Sequence, residues 1–124
     1  MRYLFISAGL AAALFVLPVA GSPAVAASSP VKITLACYSN PEKTTIKNVS
    51  THSLTVKTVG STYKPYSFEP FTVNKVLAAG KSVTYQTGSK AKGANELSHD
   101  YIYNNNGSDG ARVTTSAGTF TKHC

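Results

Sequence analysis

The residues of this 124-residue sequence that could carry hydrolysis are three histidines and several serines, but their spacing does not support it. A Ser-His-acid hydrolase needs a histidine that a third group orients beside the nucleophile. His99 is followed directly by Asp100, yet neighbouring side chains of a strand face opposite sides. No serine has the flanking glycines of a nucleophile elbow. The sequence therefore predicts three surface histidines (His52, His99, His123), no catalytic residue, and a protein that is not an enzyme.

The sequence also lacks the ligand spacing of a metal or cofactor site. Its five carboxylates show no paired spacing; they are Glu42, Glu69, Glu96, Asp100 and Asp109. Structural zinc is bound by four Cys or His side chains, and the only adjacent pair of these residue types is His123 and Cys124. We therefore expect neither a metal ion nor a cofactor.

One segment, YNNNGSDGARV at residues 103–113, could be either a ligand loop or a turn. A calcium loop of the EF-hand type uses several carboxylates, including a bidentate glutamate, whereas this segment has only Asp109. A phosphate loop needs a Gly-rich pattern that ends in Gly-Lys-Ser or Gly-Lys-Thr. Asn, Asp and Gly suit tight turns. We expect a hairpin turn that pairs residues 101–103 with residues 111–113, and ion binding is the alternative.

An aromatic stretch, YKPYSFEPF at residues 63–71, could contact a ligand. Its two prolines favour an edge strand or a crossing loop, because proline is rare in central strands. Phe68 and Phe71 could cap the core, or the tyrosines and a lysine could form a platform that stacks on sugars or bases. The candidate binding surface predicted from the sequence comprises Tyr63, Lys64, Tyr66, Lys90, Lys92 and Arg112.

The N-terminal segment indicates the compartment. Arg2 precedes an apolar run from Leu4 to Leu17, then Pro18, then the small residues of an A-x-A-like cleavage site. This pattern is typical of a secretory signal peptide, which we assign to residues 1–27. An uncleaved anchor is the alternative, although a spanning helix needs about 20 apolar residues. We expect one secreted or envelope-located domain, residues 28–124, that does not span the membrane after cleavage.

Charge limits the class of partner. The formal net charge is +7, and about +6 without Arg2. Such a surface attracts polyanions, including envelope polymers, lipid headgroups and nucleic acid. Base-specific contacts favour arginine, and only Arg112 remains after residue 27, so nucleic acid is expected to bind at most non-specifically. A basic surface that serves only solubility is the alternative.

The two cysteines predict a disulfide. Cys37 lies near the start of the expected domain and Cys124 is the last residue of the sequence. An isolated pair in an oxidising compartment is expected to be bonded. Cys37 shares the inward parity of Val31, Ile33 and Leu35, so the bond would tie the first strand to the last.

Alternating apolar and polar residues predict strands rather than helices. Threonine, valine and tyrosine dominate these runs and suit a half-buried sheet. Turn residues separate the runs at short intervals. About seven short strands in about 97 residues are typical of a β-sandwich, and a small closed barrel is the alternative. The clearest alternating runs are residues 31–37, 54–57, 71–74, 82–86, 111–114 and 119–124.

Three segments carry a family resemblance. They are TIKNVS at residues 45–50 with LTV at 54–56, then VLAAGKSVTYQTG at 76–88, then IYNN at 102–105 with Gly107, Asp109, Val113 and Ala117-Gly118. Their order and spacing resemble a lamin-tail domain, the immunoglobulin-like β-sandwich of nuclear lamins that also occurs in secreted bacterial proteins. The resemblance runs from about Thr45 to Phe120. It implies an immunoglobulin-like sandwich and a non-catalytic module for interaction and tethering.

These observations favour a secreted, non-catalytic binding or tethering module at the cell envelope, with a basic surface that suits polyanionic partners. The alternative is a structural surface module that acts through protein–protein contacts of its edge strands. The partner would then be a protein rather than an envelope polymer. An enzyme is the least favoured class.

Overall fold

The computed structural model describes residues 28–62, 70–103 and 108–124. These ranges contain eight β-strands and no helix. The strands are β1 (Val31–Ala36), β2 (Glu42–Asn48), β3 (Leu54–Ser61), β4 (Phe71–Leu77), β5 (Ser82–Thr87), β6 (Glu96–Ser98), β7 (Gly110–Thr115) and β8 (Gly118–His123). The predicted all-β class is confirmed. The predicted signal peptide, residues 1–27, lies outside the described residues.

The strands form two sheets that pack as a β-sandwich. Sheet A has the order β1-β2-β5-β6 and sheet B the order β4-β3-β7-β8. All pairs are antiparallel except β5 with β6. The predicted sandwich is therefore confirmed, and two separate sheets replace the alternative of one closed barrel. The eighth strand is β6, whose three residues are too few to show alternation in the sequence.

The strand order is immunoglobulin-like, with a difference at one edge. Strands β1, β2 and β5 occupy the places of strands A, B and E, and β4-β3-β7-β8 corresponds to C′-C-F-G. The place beside E, which strand D usually takes, is occupied by β6, which runs parallel to β5.

The core lies between the sheets because alternate residues of each strand face inward. In β1, Val31 and Ile33 are buried while Lys32 and Thr34 are exposed, as the alternation predicts. Val56, Val59 and Val113 of sheet B are fully buried. The remaining buried members of the core are Cys37, Ile46, Leu54, Leu77, Val83, Tyr85, Ile102, Tyr103 and Ala111.

A disulfide joins Cys37, directly after β1, to Cys124, directly after β8. β1 is an edge strand of sheet A and β8 is an edge strand of sheet B. The bond therefore connects the two sheets along one side of the sandwich, which we call the disulfide seam. The predicted pairing of the cysteines is confirmed, as is the prediction that the bond ties the first strand to the last.

The predicted hairpin between residues 101–103 and 111–113 is wrong. Residues 101–103 are not in a strand, and β7 pairs with β3 and β8 instead. The backbone N–H groups of Ile102 and Tyr103 donate to the carboxylate of Glu42, at 2.9 and 3.2 Å. A buried side-chain acceptor therefore takes the place of a partner strand.

The connection between β2 and β3 is held by the buried side chain of Asn48. Its amide nitrogen donates to the carbonyl oxygens of His52 and Leu77, at 2.7 and 2.9 Å. Its oxygen accepts hydrogen bonds from the backbone N–H and the hydroxyl of Ser50. Asn48-Val49-Ser50 has the form of a glycosylation sequon, but this nitrogen is enclosed in the folded domain, where Asn48 is 0% exposed.

Gly110 is required where β7 and β8 come together at the disulfide seam. A Cβ at this position would overlap the carbonyl oxygen of Lys122 and lie 2.7 Å from the Cα of His123. Both atoms belong to the backbone and cannot move without separating the strands. We expect Gly110→Ala to lower the free energy of unfolding by about 2 to 3 kcal/mol, as overpacking does elsewhere, measured by urea unfolding.

Gly93→Ala is the control for this variant. Nothing lies within 4 Å of a Cβ at Gly93, so only its positive φ of 93° opposes alanine. That conformation costs about 1 kcal/mol for a residue with a side chain. Equal losses for the two variants would contradict a steric role of Gly110.

Candidate binding surfaces

The outer surface of sheet A is polar and basic. Its residues alternate with the buried ones of β1, β2 and β5. We call this surface the basic face; it comprises Lys32, Thr34, Ala36, Lys43, Thr45, Lys47, Ser82, Thr84 and Gln86. No side chain in this set is acidic.

Two lysines of the basic face lie directly opposite each other. Lys32 of β1 is the register partner of Lys47 of β2. Like charges in this position destabilise a sheet by about 0.2 to 1 kcal/mol. Lys43 lies four residues along β2 from Lys47, which is about 13 Å in a strand. The basic face therefore presents cationic groups at both ends of its central strand.

Hydroxyl groups occupy the space between these lysines. Thr34 is the register partner of Thr45, which is in turn the partner of Thr84. The Oγ1 atoms of Thr45 and Thr84 lie 2.9 Å apart and are hydrogen-bonded. The row therefore presents hydrogen-bond donors and acceptors on the same surface as the lysines.

The lysines of the described ranges form no ion pair with the carboxylates of those ranges. The ion pair that the structure does show joins His99 Nε2 to Glu96 Oε1, at 2.6 Å. Glu96 is the register partner of Gln86, at the β6 side of the basic face. Within the described ranges, no carboxylate therefore forms an ion pair with a lysine of the basic face.

A second polar surface lies where β5 ends, around a half-exposed tyrosine. Tyr101 is 49% exposed, and its ring packs on Gly88, where a Cβ would lie 2.9 Å from Cε1. Its hydroxyl is 3.3 Å from Ser89 Oγ, which accepts a hydrogen bond of 2.8 Å from Asn40 Nδ2. The Lys90 N–H donates to Asn40 Oδ1 at 3.0 Å. We call this group the tyrosine platform: Asn40, Gly88, Ser89, Lys90 and Tyr101.

The structure separates the predicted binding residues. Lys90 belongs to the tyrosine platform, and the N–H of Lys92 donates to Oε1 of Gln86 on the basic face, at 3.2 Å. Arg112 is exposed on β7, between the buried Ala111 and Val113, and so lies on the outer surface of sheet B. Arg112 therefore does not share a surface with the two lysines. The other predicted residues, Tyr63, Lys64 and Tyr66, lie outside the described residues.

The principal polar site that the sequence analysis missed is a buried carboxylate. Glu42 is 1% exposed and accepts hydrogen bonds from the Thr87 hydroxyl at 2.7 Å and from the backbone N–H groups of Ile102 and Tyr103. Burial raises the pKa of Glu42, although these three donors oppose the increase. Burial likewise raises the pKa of Tyr103, whose hydroxyl is hydrogen-bonded to Thr44 Oγ1. This cluster fastens the segment after β6 to sheet A.

A sequence signal for Glu42 does exist. Glu42 follows Asn40 and Pro41, and these three residues together favour a turn. However, the set Glu42, Thr44, Ile46 and Asn48 alternates with Lys43, Thr45 and Lys47, and the structure buries the first set. Extending the alternation backwards from Ile46 identifies Glu42 as an inward position. Its polar character then predicts a buried hydrogen-bonded site.

The carboxylate of the Asn-rich segment faces the protein. Asp109 is 0% exposed, and its Oδ1 accepts hydrogen bonds from Ser61 Oγ at 2.7 Å and from the Gly110 N–H at 2.6 Å. Residues 104–107 lie outside the described ranges. Within those ranges, no three His, Cys, Asp or Glu side chains are grouped so that they could hold a metal ion.

In the part of the chain that the structure describes, no helix has the length and apolarity needed to cross a membrane. No protein-family model, no curated protein and no solved structure matches the chain.

Proposed function

We propose that this protein is a secreted, non-catalytic binding module that attaches to polyanionic polymer of the cell envelope through the basic face. The observation that carries the proposal is the direct opposition of Lys32 and Lys47. Two opposed like charges cost stability in the isolated protein. An anionic ligand that sits between them removes this cost and gains from both charges.

The chemistry of the basic face suits a repeating polymer more than a small anion. Its cations are spread along β2 from Lys43 to Lys47, with threonine hydroxyls between them. Exposed side chains of this kind give each phosphate or carboxylate group only a weak contact, so affinity must come from several contacts at once. Such binding depends strongly on salt, because it releases counterions from the polymer.

The tyrosine platform adds a contact of another kind. One side of the Tyr101 ring packs on Gly88 and about half of the residue stays exposed. Lys90 lies beside it, joined through Asn40. We propose that this platform stacks on sugar rings of the same polymer, which is the role that the sequence suggested for Tyr63 and Tyr66. Contacts of this kind persist at salt concentrations that screen the lysines.

We likewise propose that the domain is related to lamin-tail domains. The immunoglobulin-like strand order supports it, and a tethering role agrees with a domain that offers an extended polar face. Fold alone does not define function, so the proposal rests on the basic face.

The test is a Lys47→Thr variant, for which binding and stability should change in opposite directions. We expect its affinity for duplex DNA and for purified envelope polymer to fall, and the salt slope on DNA to decrease by about 0.9. We expect its free energy of unfolding to rise by about 0.5 kcal/mol at low salt, because the Lys32 repulsion is removed. Binding is measured across a salt series, and stability by urea unfolding.

Lys75→Thr is the matched control. Lys75 is exposed on β4 of sheet B and lies opposite Val56, not another lysine. The variant loses the same charge without relieving a like-charge pair. If both variants reduce polymer binding equally, then the attraction comes from the net charge of the protein and the basic face is not the binding site.

A further inference from the structure

A groove runs along the disulfide seam, between the outer strands of the two sheets. It has a volume of about 410 Å³, which lies in the range of ligand-binding clefts. Residues of β1 form one wall and residues of β8 the other, with the disulfide at one end. Its lining residues are Lys32, Ile33, Thr34, Leu35, Cys37, Tyr38, Lys122, His123 and Cys124.

The two strands at this groove differ from the outer strands on the other side of the sandwich. Proteins limit pairing at sheet edges with very short strands or with bulges. β6 has three residues, and β4 is bulged against β3, with Asn74 at a φ of 45°. β1 and β8 each have six residues and pair in unbroken register. β1 and β8, the two edge strands at the disulfide seam, therefore have neither of these protections.

The register shows which backbone groups of β1 are free. The Pro30 carbonyl accepts a hydrogen bond from the Val49 N–H. Hydrogen-bonded positions alternate along an antiparallel pair, so the backbone N–H and C=O groups of Lys32 and Thr34 also point towards β2. The backbone N–H and C=O groups of Val31 point away from β2, and Ser29 Oγ is hydrogen-bonded to both groups. By the same alternation, the N–H and C=O groups of Ile33 and Leu35 point into the groove, and no hydrogen bond to another described residue uses them.

The side chains of the groove specify the chemistry of an occupant. Lys32 and Lys122 bring positive charge from the two walls, His123 adds a donor, and the lining contains no acidic side chain. Tyr38 is 68% exposed beside it, and Leu35 is only partly buried. Lysines on an edge oppose pairing with a neutral or basic strand, but they favour a strand that carries carboxylates.

We propose that the groove of the disulfide seam binds an extended acidic segment of a partner protein, which adds to sheet A as a strand beside β1. The main chain of the segment would pair with the free groups of Ile33 and Leu35. Its carboxylates would meet Lys32 and Lys122, and its alternate apolar side chains would cover Leu35. This inference goes beyond the polymer-binding function, because it uses the backbone edge of β1 and a different class of ligand, although Lys32 belongs to both sites.

The experiment is an NMR titration of the isotope-labelled full chain with a capped hexapeptide of alternating valine and glutamate. We expect saturable shifts centred on the amides of Ile33, Leu35 and Lys122, with slower hydrogen exchange at the first two. A second peptide carries N-methyl groups on the residues that would donate to β1. It keeps charge and composition but cannot form the strand pair, and we expect it to bind about tenfold more weakly.

Lys122→Glu is the test variant, and it should weaken peptide binding about tenfold while leaving the affinity for duplex DNA within about twofold. Lys75→Glu, on the opposite edge of sheet B, is the control and should leave peptide binding unchanged. Lys47→Thr should instead weaken binding to duplex DNA and leave peptide binding unchanged. Failure of the polymer proposal and failure of this one are therefore distinguishable. Both charged variants change exposed side chains, so folding is retained.

Three results would overturn the inference. One is equal binding of the normal and the N-methylated peptide, which would indicate attraction by charge alone. Another is an equal effect of Lys122→Glu and Lys75→Glu. The third is the absence of saturable shifts at Ile33 and Leu35 up to about 5 mM peptide. Any binding would then be weaker than about 3 kcal/mol.

Discussion

Replacing Cys37 and Cys124 by alanine is expected to lower the free energy of unfolding by about 4 kcal/mol. The bond closes a loop whose ends are 87 residues apart in sequence. The chain-entropy model gives about 4 to 5 kcal/mol for a loop of this length. A domain of this size has a total stability of about 5 to 15 kcal/mol. The variant should therefore be marginally folded at 37 °C.

Urea unfolding of the oxidised protein, the reduced protein and the double variant measures this effect. The reduced protein and the Cys37→Ala/Cys124→Ala variant should agree, because both lack the same constraint. Cys124→Ala alone should also match them, since Cys37 has no other cysteine to bond. A loss below about 1 kcal/mol would mean that packing between β1 and β8 holds the seam without the bond, contrary to the entropic account.

Replacing Glu42 by alanine is expected to cost about 4 kcal/mol, an effect comparable to loss of the disulfide. The variant removes the acceptor of three hydrogen bonds, from Thr87, Ile102 and Tyr103. A buried donor without a partner costs about 1 to 3 kcal/mol. Two of these donors are backbone N–H groups that cannot turn towards water. The segment that follows β6 should then separate from sheet A.

Glu96→Ala provides the comparison for this variant. Glu96 is also a glutamate of sheet A, but its partner His99 is largely exposed, so the pair is worth about 1 kcal/mol or less. Unfolding measurements should show a large loss for Glu42→Ala and a small one for Glu96→Ala. Hydrogen exchange at Ile102 and Tyr103 should accelerate only in the first variant. Similar losses in both would contradict the role assigned to the buried carboxylate.

The same carboxyl group gives the stability a defined dependence on pH. Burial is the largest cause of the raised pKa of Glu42, and the negative charge of Asp109 also raises it. The folded state therefore holds this proton more tightly than the unfolded state, whose pKa is near 4.5. The stability that protonation of Glu42 adds is fully present below pH 4.5 and is lost as the pH rises through the raised pKa of the folded state. Glu42→Ala should remove this component of the pH profile.

Much of the fold follows from alternation in the sequence, because burial of one side of a strand imposes a two-residue period. The run from Val31 to Cys37 predicted β1 together with its inward cysteine. The turn residues around residues 48–53 and at Gly80 separate strands as expected. The pairing of Tyr101–Tyr103 was predicted wrongly because the Asn-rich segment suggested a hairpin. The deciding contact is with Glu42, about 60 residues away in sequence, and local patterns do not contain it.

The binding surfaces were only partly predictable. The sequence shows how many lysines there are, but their grouping depends on register. Lys32 and Lys47 become neighbours only because β1 pairs with β2 in the observed alignment. Arg112 was grouped with Lys90 and Lys92 by charge, and the assignment of its strand to sheet B separates it from them. The groove of the disulfide seam likewise depends on two strands that are far apart in the chain.

The position of the disulfide also determines how the domain would respond to mechanical tension. A force applied between residue 28 and residue 124 passes along β1 to Cys37 and then directly through the sulfur atoms to Cys124. The strands β2 to β8 lie inside the covalent loop, so pulling on these two points does not extend them. Peeling β1 away releases at most nine residues, or about 30 Å of chain, whereas the reduced protein could extend to about 330 Å. The bond therefore makes the domain nearly inextensible between these two points.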